Sequence, residues 1–179
     1  MSQRLRLFVA VDVPAATQAS LASWTDEAAP VEVRRVAAEN LHVTIAFLGI
    51  CAEQDAARAG AVLRALARPV GTLRTADALW LPPRRPRVLA IALEHEPALG
   101  EVHRDLALAL ADAIGLQPEQ RRFRAHVTVG RVRRGTYVRT QHPLEPPALE
   151  FPAATLTLYR SHTGPAGARY EPLARSALA

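Results

Sequence analysis

Lysine is absent from the 179 residues, so all 22 residues counted as Lys or Arg are arginine. Whole reaction classes go with it, because Schiff-base catalysis, a phosphate-loop lysine and a lysyl-nucleotide intermediate each need a primary amine. Cysteine is nearly absent too. Cys51, the single copy, can close no intramolecular disulfide and build no cysteine-based zinc cluster, and a reducing, cytoplasmic location is expected. Apolar runs long enough to cross a bilayer are lacking: His42, Thr44 and Asp112 interrupt the most apolar segments, and no membrane association is expected. Arg4 and Arg6 ahead of Leu7–Val11 have the look of a secretory leader, but Asp12 and Pro14 cut the stretch too short for one. His-Glu-x-x-His and clustered carboxylates are missing as well, so neither a metal site nor a cofactor is expected.

What remains is an ordinary folding composition, 49% apolar and 22% charged, long enough for one domain or two small lobes sharing a core. The formal net charge is +5. It is carried by guanidinium groups, whose planar fork matches phosphate bidentately at any biological pH, so an anionic partner is favoured. Arg121, Arg122, Arg124, Arg131, Arg133 and Arg134 form one group in the sequence, and Arg84, Arg85 and Arg87 another. Together they read as a basic rim that guides nucleic acid.

Periodicity predicts strands over Leu5–Val13, Val31–Val36 and Leu41–Leu48, the last closing at Gly49. Helices are predicted from Pro14 to Pro30, over Glu53–Ala67 and over Pro97–Ile114, where Leu99, Val102, Leu106, Leu110 and Ala113 make one face and Gly115 stops it. Leu73–Leu81 and Arg87–Leu93 read as a hairpin around a stiff Pro/Arg connection. Phe123–Val132, Ala154–Ser161 and Tyr170–Ala174 read as further strands, with Pro143–Pro152 a proline-rich loop. Several links are too short for helical crossovers, which argues for an α+β fold with mainly antiparallel pairing. Trp24 and Trp80 fall on apolar faces and are assigned to the core. His95, His103, His142 and His162 share no common context and are read as surface or structural.

Two segments repeat a pattern: His42-Val43-Thr44-Ile45 and His126-Val127-Thr128-Val129. Chance alone supplies roughly 0.4 copies of His-x-Thr in a chain of this make-up, so one copy is uninformative and two with matching neighbours are not. In a strand each His and its Thr share a face while the Val points to the apolar side. Two such strands facing one another hold two imidazoles and two hydroxyls in one cleft. That set suits phosphodiester chemistry, one neutral imidazole taking a proton while the other, protonated, donates one to the leaving oxygen.

With these motifs, with Arg6-Leu7-Phe8-Val9-Ala10-Val11-Asp12 at the start and with Leu158-Tyr159-Arg160-Ser161 and Gly167-Ala168-Arg169-Tyr170 near the end, the chain resembles the two-histidine phosphoesterase superfamily. The resemblance is closest to the 2′-5′ RNA ligase family of RNA 2′,3′-cyclic phosphodiesterases. It implies a bilobal α+β fold with pseudo-twofold duplication: two mainly antiparallel sheets with outer helices around a central cleft, and residues 1–179 forming one catalytic domain. His42, Thr44, His126 and Thr128 match the catalytic positions, Arg131 a substrate-binding arginine near the phosphate, and Phe8 a wall on the base side. The implied partners are RNA ends or nucleotides bearing a 2′,3′-cyclic phosphate; a monomer is taken as the default state. The implied reaction is metal-independent hydrolysis to a 2′-phosphate and reversible ATP-independent 2′-5′ ligation by the same proton transfers; to this we add the assignment of His126 as base and His42 as acid. One departure is Ala125, where the family commonly has proline before the second His.

Overall fold

Apolar crowding makes β1 (Arg4–Asp12) a strand buried on both sides: after Arg6 every side chain from Leu7 to Val11 is buried. A computed structural model describes residues 4–117, 119, 121–138, 144–164 and 167–178. After β1 come α1 (Ala15–Ala28), β2 (Val33–Arg35), a 3₁₀ turn (Ala38–Asn40), β3 (His42–Ala52) and α2 (Glu53–Leu66). The hairpin β4 (Thr72–Leu81) and β5 (Val88–Leu93) leads into α3 (Pro97–Ile114) and β6 (His126–Val132). A short β7 (Glu150–Pro152) precedes the closing hairpin of β8 (Thr155–Gly164) and β9 (Gly167–Ala177).

The strand order is β7-β4-β5-β6-β3-β1-β8-β9, with β2 added on β6, and every pairing is antiparallel. Two four-stranded blocks are recognisable, β6-β5-β4-β7 and β3-β1-β8-β9, each ordered outward from its motif strand. They meet at one residue pair, Val43 with Val127. The two antiparallel sheets are therefore blocks of one sheet joined at a narrow seam, and on either side of that pair β3 and β6 part. The chain interleaves the blocks: β1 and β3 begin one, β4 to β7 build the other, and β8 and β9 return to the first.

The helices cover the sheet from outside. α3 buries Leu99, Val102, Leu106 and Leu110, as its periodicity predicts, with the Glu96 side chain accepting from Ala98 N–H at its start. Gly115, at φ 67°, ends it in the left-handed conformation that side chains disfavour. α2 packs on α3 and on β8 and β9, while α1 lies against β6, β2 and the 3₁₀ turn. Among the described residues no helix is long and apolar enough to cross a membrane.

Several element boundaries differ from the sequence reading: β3 runs through Gly49, read as its stop, to Ala52, β8 runs to Gly164 rather than Ser161, and β2 is confined to Val33–Arg35. β7 lies within the proline-rich stretch read as loop, pairing Leu73 with Phe151 and burying that ring; Pro152 is tolerated because β7 is an edge strand. β6 begins at His126 rather than Phe123, whose ring stacks on His103 at 4.1 Å. β9 extends well beyond Tyr170–Ala174 in both directions, an edge strand whose half-exposed residues and Pro172 carry little apolar signal. Trp24 and Trp80 pack against the core as expected, Trp24 Nε1 donating to the Glu145 carbonyl at 2.7 Å. His142 lies outside the described residues.

Candidate active site

The period of two along β3 and β6 sends Val43 and Val127 into the core, both fully buried, and leaves His42, Thr44, His126 and Thr128 half-exposed on the other face. Because the strands are antiparallel about Val43 and Val127, His42 comes across from Thr128 and Thr44 across from His126. All four side chains line one cleft of about 490 Å³, together with Arg131 and Phe8. The six side chains singled out from the sequence are thus brought together.

Strict alternation would not have put Arg131 there. Counting by twos from His126 reaches Gly130, and Arg131 would point into the core. Pairing with β5 skips a residue, since Leu89 faces Gly130 and Ala90 faces Thr128, leaving Val129 unmatched. This bulge reverses the parity, so Val129 and Gly130 are both buried and Arg131 emerges into the cleft. A Cβ at Gly130 would stand 2.3 Å from Val33 Cγ1, which explains the glycine. β3 does the same: Val9 faces Ala46 and Ala10 faces Thr44, leaving Ile45 unmatched, and Phe47 emerges into the cleft at 70% exposure.

Both imidazoles are held alike. His42 Nδ1 donates to the Asn40 carbonyl and His126 Nδ1 to the Arg124 carbonyl, each at 2.7 Å and each two residues upstream. A carbonyl only accepts, so Nδ1 keeps its proton and Nε2 is the atom that gains or loses one. The Thr44 hydroxyl lies 3.0 Å from His42 Nε2 and donates to it when the ring is neutral. Burial pushes the His42 pKa below its ordinary 6.5, and the charges of Arg131 and His126 push the same way, against the Asn40 carbonyl and the Asp12 carboxylate.

The His42 ring is enclosed by Phe8 at 4.9 Å and by the edge of Tyr170 at 5.3 Å. Phe8 is itself buried and stacks on Tyr159 at 5.3 Å, so its contact with the cleft runs along His42. Asp12 accepts from Tyr159 Oη at 2.8 Å and from Thr157 Oγ1 at 2.9 Å. Burial and that carboxylate push the Tyr159 phenol up to about 12, so it remains a donor.

The cleft also contains residues that the sequence reading did not select: Arg6, Arg34, Arg35, Asn40, Phe47, Ser161 and Tyr170. Phe47 was detectable, since it follows His42 by the same five positions that separate Arg131 from His126. Arg34 was not, because only the pairing of β2 with β6 brings it in. The arginine groups divide differently from their order in the sequence. Arg131, Arg133 and Arg134 share a groove with Arg34 and Arg87, whereas Arg121, Arg122 and Arg124 line another that adjoins the cleft at Thr44, Phe47 and His126. Arg84 and Arg85 are exposed in the β4–β5 connection. His103 Nδ1 donates to the Ile45 carbonyl at 2.8 Å, and His162 pairs with Glu171 at 2.7 Å, so both belong to the framework. No group of three or more His, Cys, Asp or Glu that could hold a metal ion occurs among the described residues.

Residues 11–90 match the model of a family described as LigT like phosphoesterase. The RNA 2′,3′-cyclic phosphodiesterase of Escherichia coli K12 is 33% identical over 99% of both chains. A protein of the same name from Archaeoglobus fulgidus is 33% identical over 73% of this chain and 74% of its own. Among solved structures, E. coli LigT in complex with 3′-AMP superposes with a TM-score of 0.82 at 31% identity, over 98% of this chain and 99% of that one.

Proposed function

The chain belongs to the LigT-like phosphoesterase family, and from that premise we propose that it is an RNA 2′,3′-cyclic phosphodiesterase whose proton transfers are made by His42 and His126. The terminal cyclic phosphate sits between the two Nε2 atoms. Arg131 grips its non-bridging oxygens with a bidentate fork, and the Thr44 and Thr128 hydroxyls donate to them as charge builds. Water attacks phosphorus while His126 Nε2 takes its proton. The bond from phosphorus to O3′ breaks, and protonated His42 gives its Nε2 proton to O3′, leaving a 2′-phosphate and a 3′-hydroxyl. Proton exchange with solvent resets the pair.

His42 must be charged for this step, yet burial holds it neutral in the free protein. The phosphate's negative charge, added to that of Asp12, draws a proton onto His42 on binding. Once charged, a ring that burial disfavours in that form is a stronger proton donor. Substituting a ribose 5′-hydroxyl for water gives a 2′-5′ linkage by the same transfers, so ligation needs no ATP. Neither transfer calls for a metal. The catalytic unit is the whole of residues 1–179, because each block of the sheet supplies one histidine, and it acts as a cytoplasmic monomer.

The observation that carries this reading is the antiparallel meeting of the two His-x-Thr segments about Val43 and Val127, with both Nδ1 atoms committed to carbonyls. The test is an oligonucleotide ending in a 2′,3′-cyclic phosphate, incubated with the protein and a chelator. A 2′-phosphate product is expected. A 3′-phosphate would reverse the leaving group, and activity lost to the chelator would replace the two-histidine route with a metal-dependent one.

A further inference from the structure

Arg34 in β2 stands directly opposite Arg131 in β6, on the face away from the buried Val33 and Val132 pair. Like charges paired across strands repel. The repulsion is compounded, because main-chain bonds from Val132 N–H to the Arg87 carbonyl and from Arg133 N–H to the Glu32 carbonyl bring further arginines to the same edge. Arg34, Arg87, Arg131, Arg133 and Arg134 line one groove of about 520 Å³, and its lining includes no acidic side chain.

Lack of a partner alone does not mark them out: Arg35, Arg58, Arg68, Arg74, Arg104 and Arg121 each have a carboxylate partner, but ten other described arginines outside the groove have none, and what is particular here is that five arginines share one groove. Among the described residues none of the five has an ion-pair partner, and the one side-chain hydrogen bond in the group runs from Arg133 Nε to the Val31 carbonyl. Five arginines lining one groove without an acidic side chain among them form a site for an anion from outside. Arg34 and Arg131 also line the catalytic cleft, so groove and cleft are continuous.

We propose that this groove binds the internucleotide phosphates immediately 5′ of the terminal nucleotide, so that the protein selects RNA strand ends over cyclic mononucleotides. The inference rests on the function proposed above. It follows from connectivity: a terminal cyclic phosphate occupies O2′ and O3′, so the strand continues only through O5′, and the next anion out of the cleft is the phosphodiester on that side. The recognition is of backbone charge, independent of base sequence.

The test compares kcat/KM for a 2′,3′-cyclic mononucleotide with that for a tetranucleotide ending in the same group, in wild type and in the combined variant Arg87→Gln, Arg133→Gln, Arg134→Gln. Wild type is expected to prefer the tetranucleotide by about tenfold or more, and the preference to collapse in the variant while mononucleotide turnover stays within about twofold. The slope of log affinity against log salt for a tetranucleotide with a 3′-phosphate end should fall by roughly two on removing three phosphate contacts. Arg104→Gln, a remote exposed change, controls for net charge and should leave the preference intact. Equal turnover of both substrates by wild type, or a variant that keeps preference and slope, overturns the groove assignment while the function stands. Failure of wild type to hydrolyse either substrate overturns the function itself and the inference with it.

Discussion

β3 and β6 show the same sequence of burial from histidine to the sixth residue after it, half-exposed, buried, half-exposed, two buried, exposed, buried, and each gains its exposed fifth residue from a bulge. What that fifth residue is differs. On β6 it is Arg131, a guanidinium lining the cleft; on β3 it is Phe47, an exposed aromatic ring lining the same cleft. The settings of the two histidines differ as well. His42 is packed against Phe8 and Tyr170 near the Asp12 carboxylate, whereas Arg121, Arg122 and Arg124 lie in the groove beside His126. Duplicated backbone geometry therefore holds the two rings alike, each by an Nδ1 bond to a carbonyl two residues upstream, while the unduplicated surroundings give them different neighbours.

The largest effect should come from removing either ring. His42→Ala and His126→Ala each lower kcat by about 10²–10⁴-fold, the scale of a general acid or base. A substrate with sulfur in place of O3′ separates them, because a thiolate leaves unprotonated: it should restore His42→Ala and leave His126→Ala impaired. Wild-type hydrolysis of the oxygen substrate by His42→Ala would end the acid assignment.

At the fifth position, Arg131→Lys should lower kcat/KM by about 10-fold or more, since a point charge does not reproduce the fork. Phe47→Ala should raise KM by roughly 5-fold with kcat unchanged, the scale of one base stacked on an aromatic ring. Equal effects on kcat at both positions would show that the division of labour is wrong.

The bulges are tested by Gly130→Ala. Its Cβ would collide with Val33, so about 1–3 kcal/mol of stability should be lost, read as a fall in Tm, together with catalysis that depends on Arg131. Ala46→Gly, at the matching place in β3, should cost less and spare Arg131. If Gly130→Ala left Tm and kcat/KM unchanged, the bulge would not be what aims Arg131.

The smallest effect is electrostatic. Because burial lowers the His42 pKa from 6.5 in the folded protein, the unfolded chain binds the extra proton first as pH falls. Stability is full above about pH 6.5, declines below it and levels off once the folded ring is also charged. His42→Gln should flatten that decline in denaturant midpoints measured from pH 7 to pH 5. Asp12→Asn, by removing a charge that favours the imidazolium in the folded protein, should leave the onset near pH 6.5 and extend the decline to lower pH.

The motif pair, the helix faces and the antiparallel character were legible because each follows from local period: two along β3 and β6, 3.6 along α3. Boundaries at edge strands were less so. β7 and β9 owe their existence to partners already in place, β4 and β8, rather than to apolar content of their own. Phe47 was open to detection by aligning the two motif copies at equal distance from each histidine. No alignment of that kind would have found Arg34, which β2 brings to the cleft, or have shown that Arg87, just ahead of β5, shares a groove with it.

Residue chemistry and spacing alone determined which side chains are suited to the proposed chemistry, because imidazole, hydroxyl and guanidinium have properties that no fold needs to create and a strand presents alternate residues whatever its neighbours. Only the tertiary structure decided that the two histidines meet across Val43 and Val127, that Arg131 and Phe47 turn outward and that five arginines share one groove. Those outcomes depend on register, bulges and burial, which are set by contacts between segments far apart in the chain.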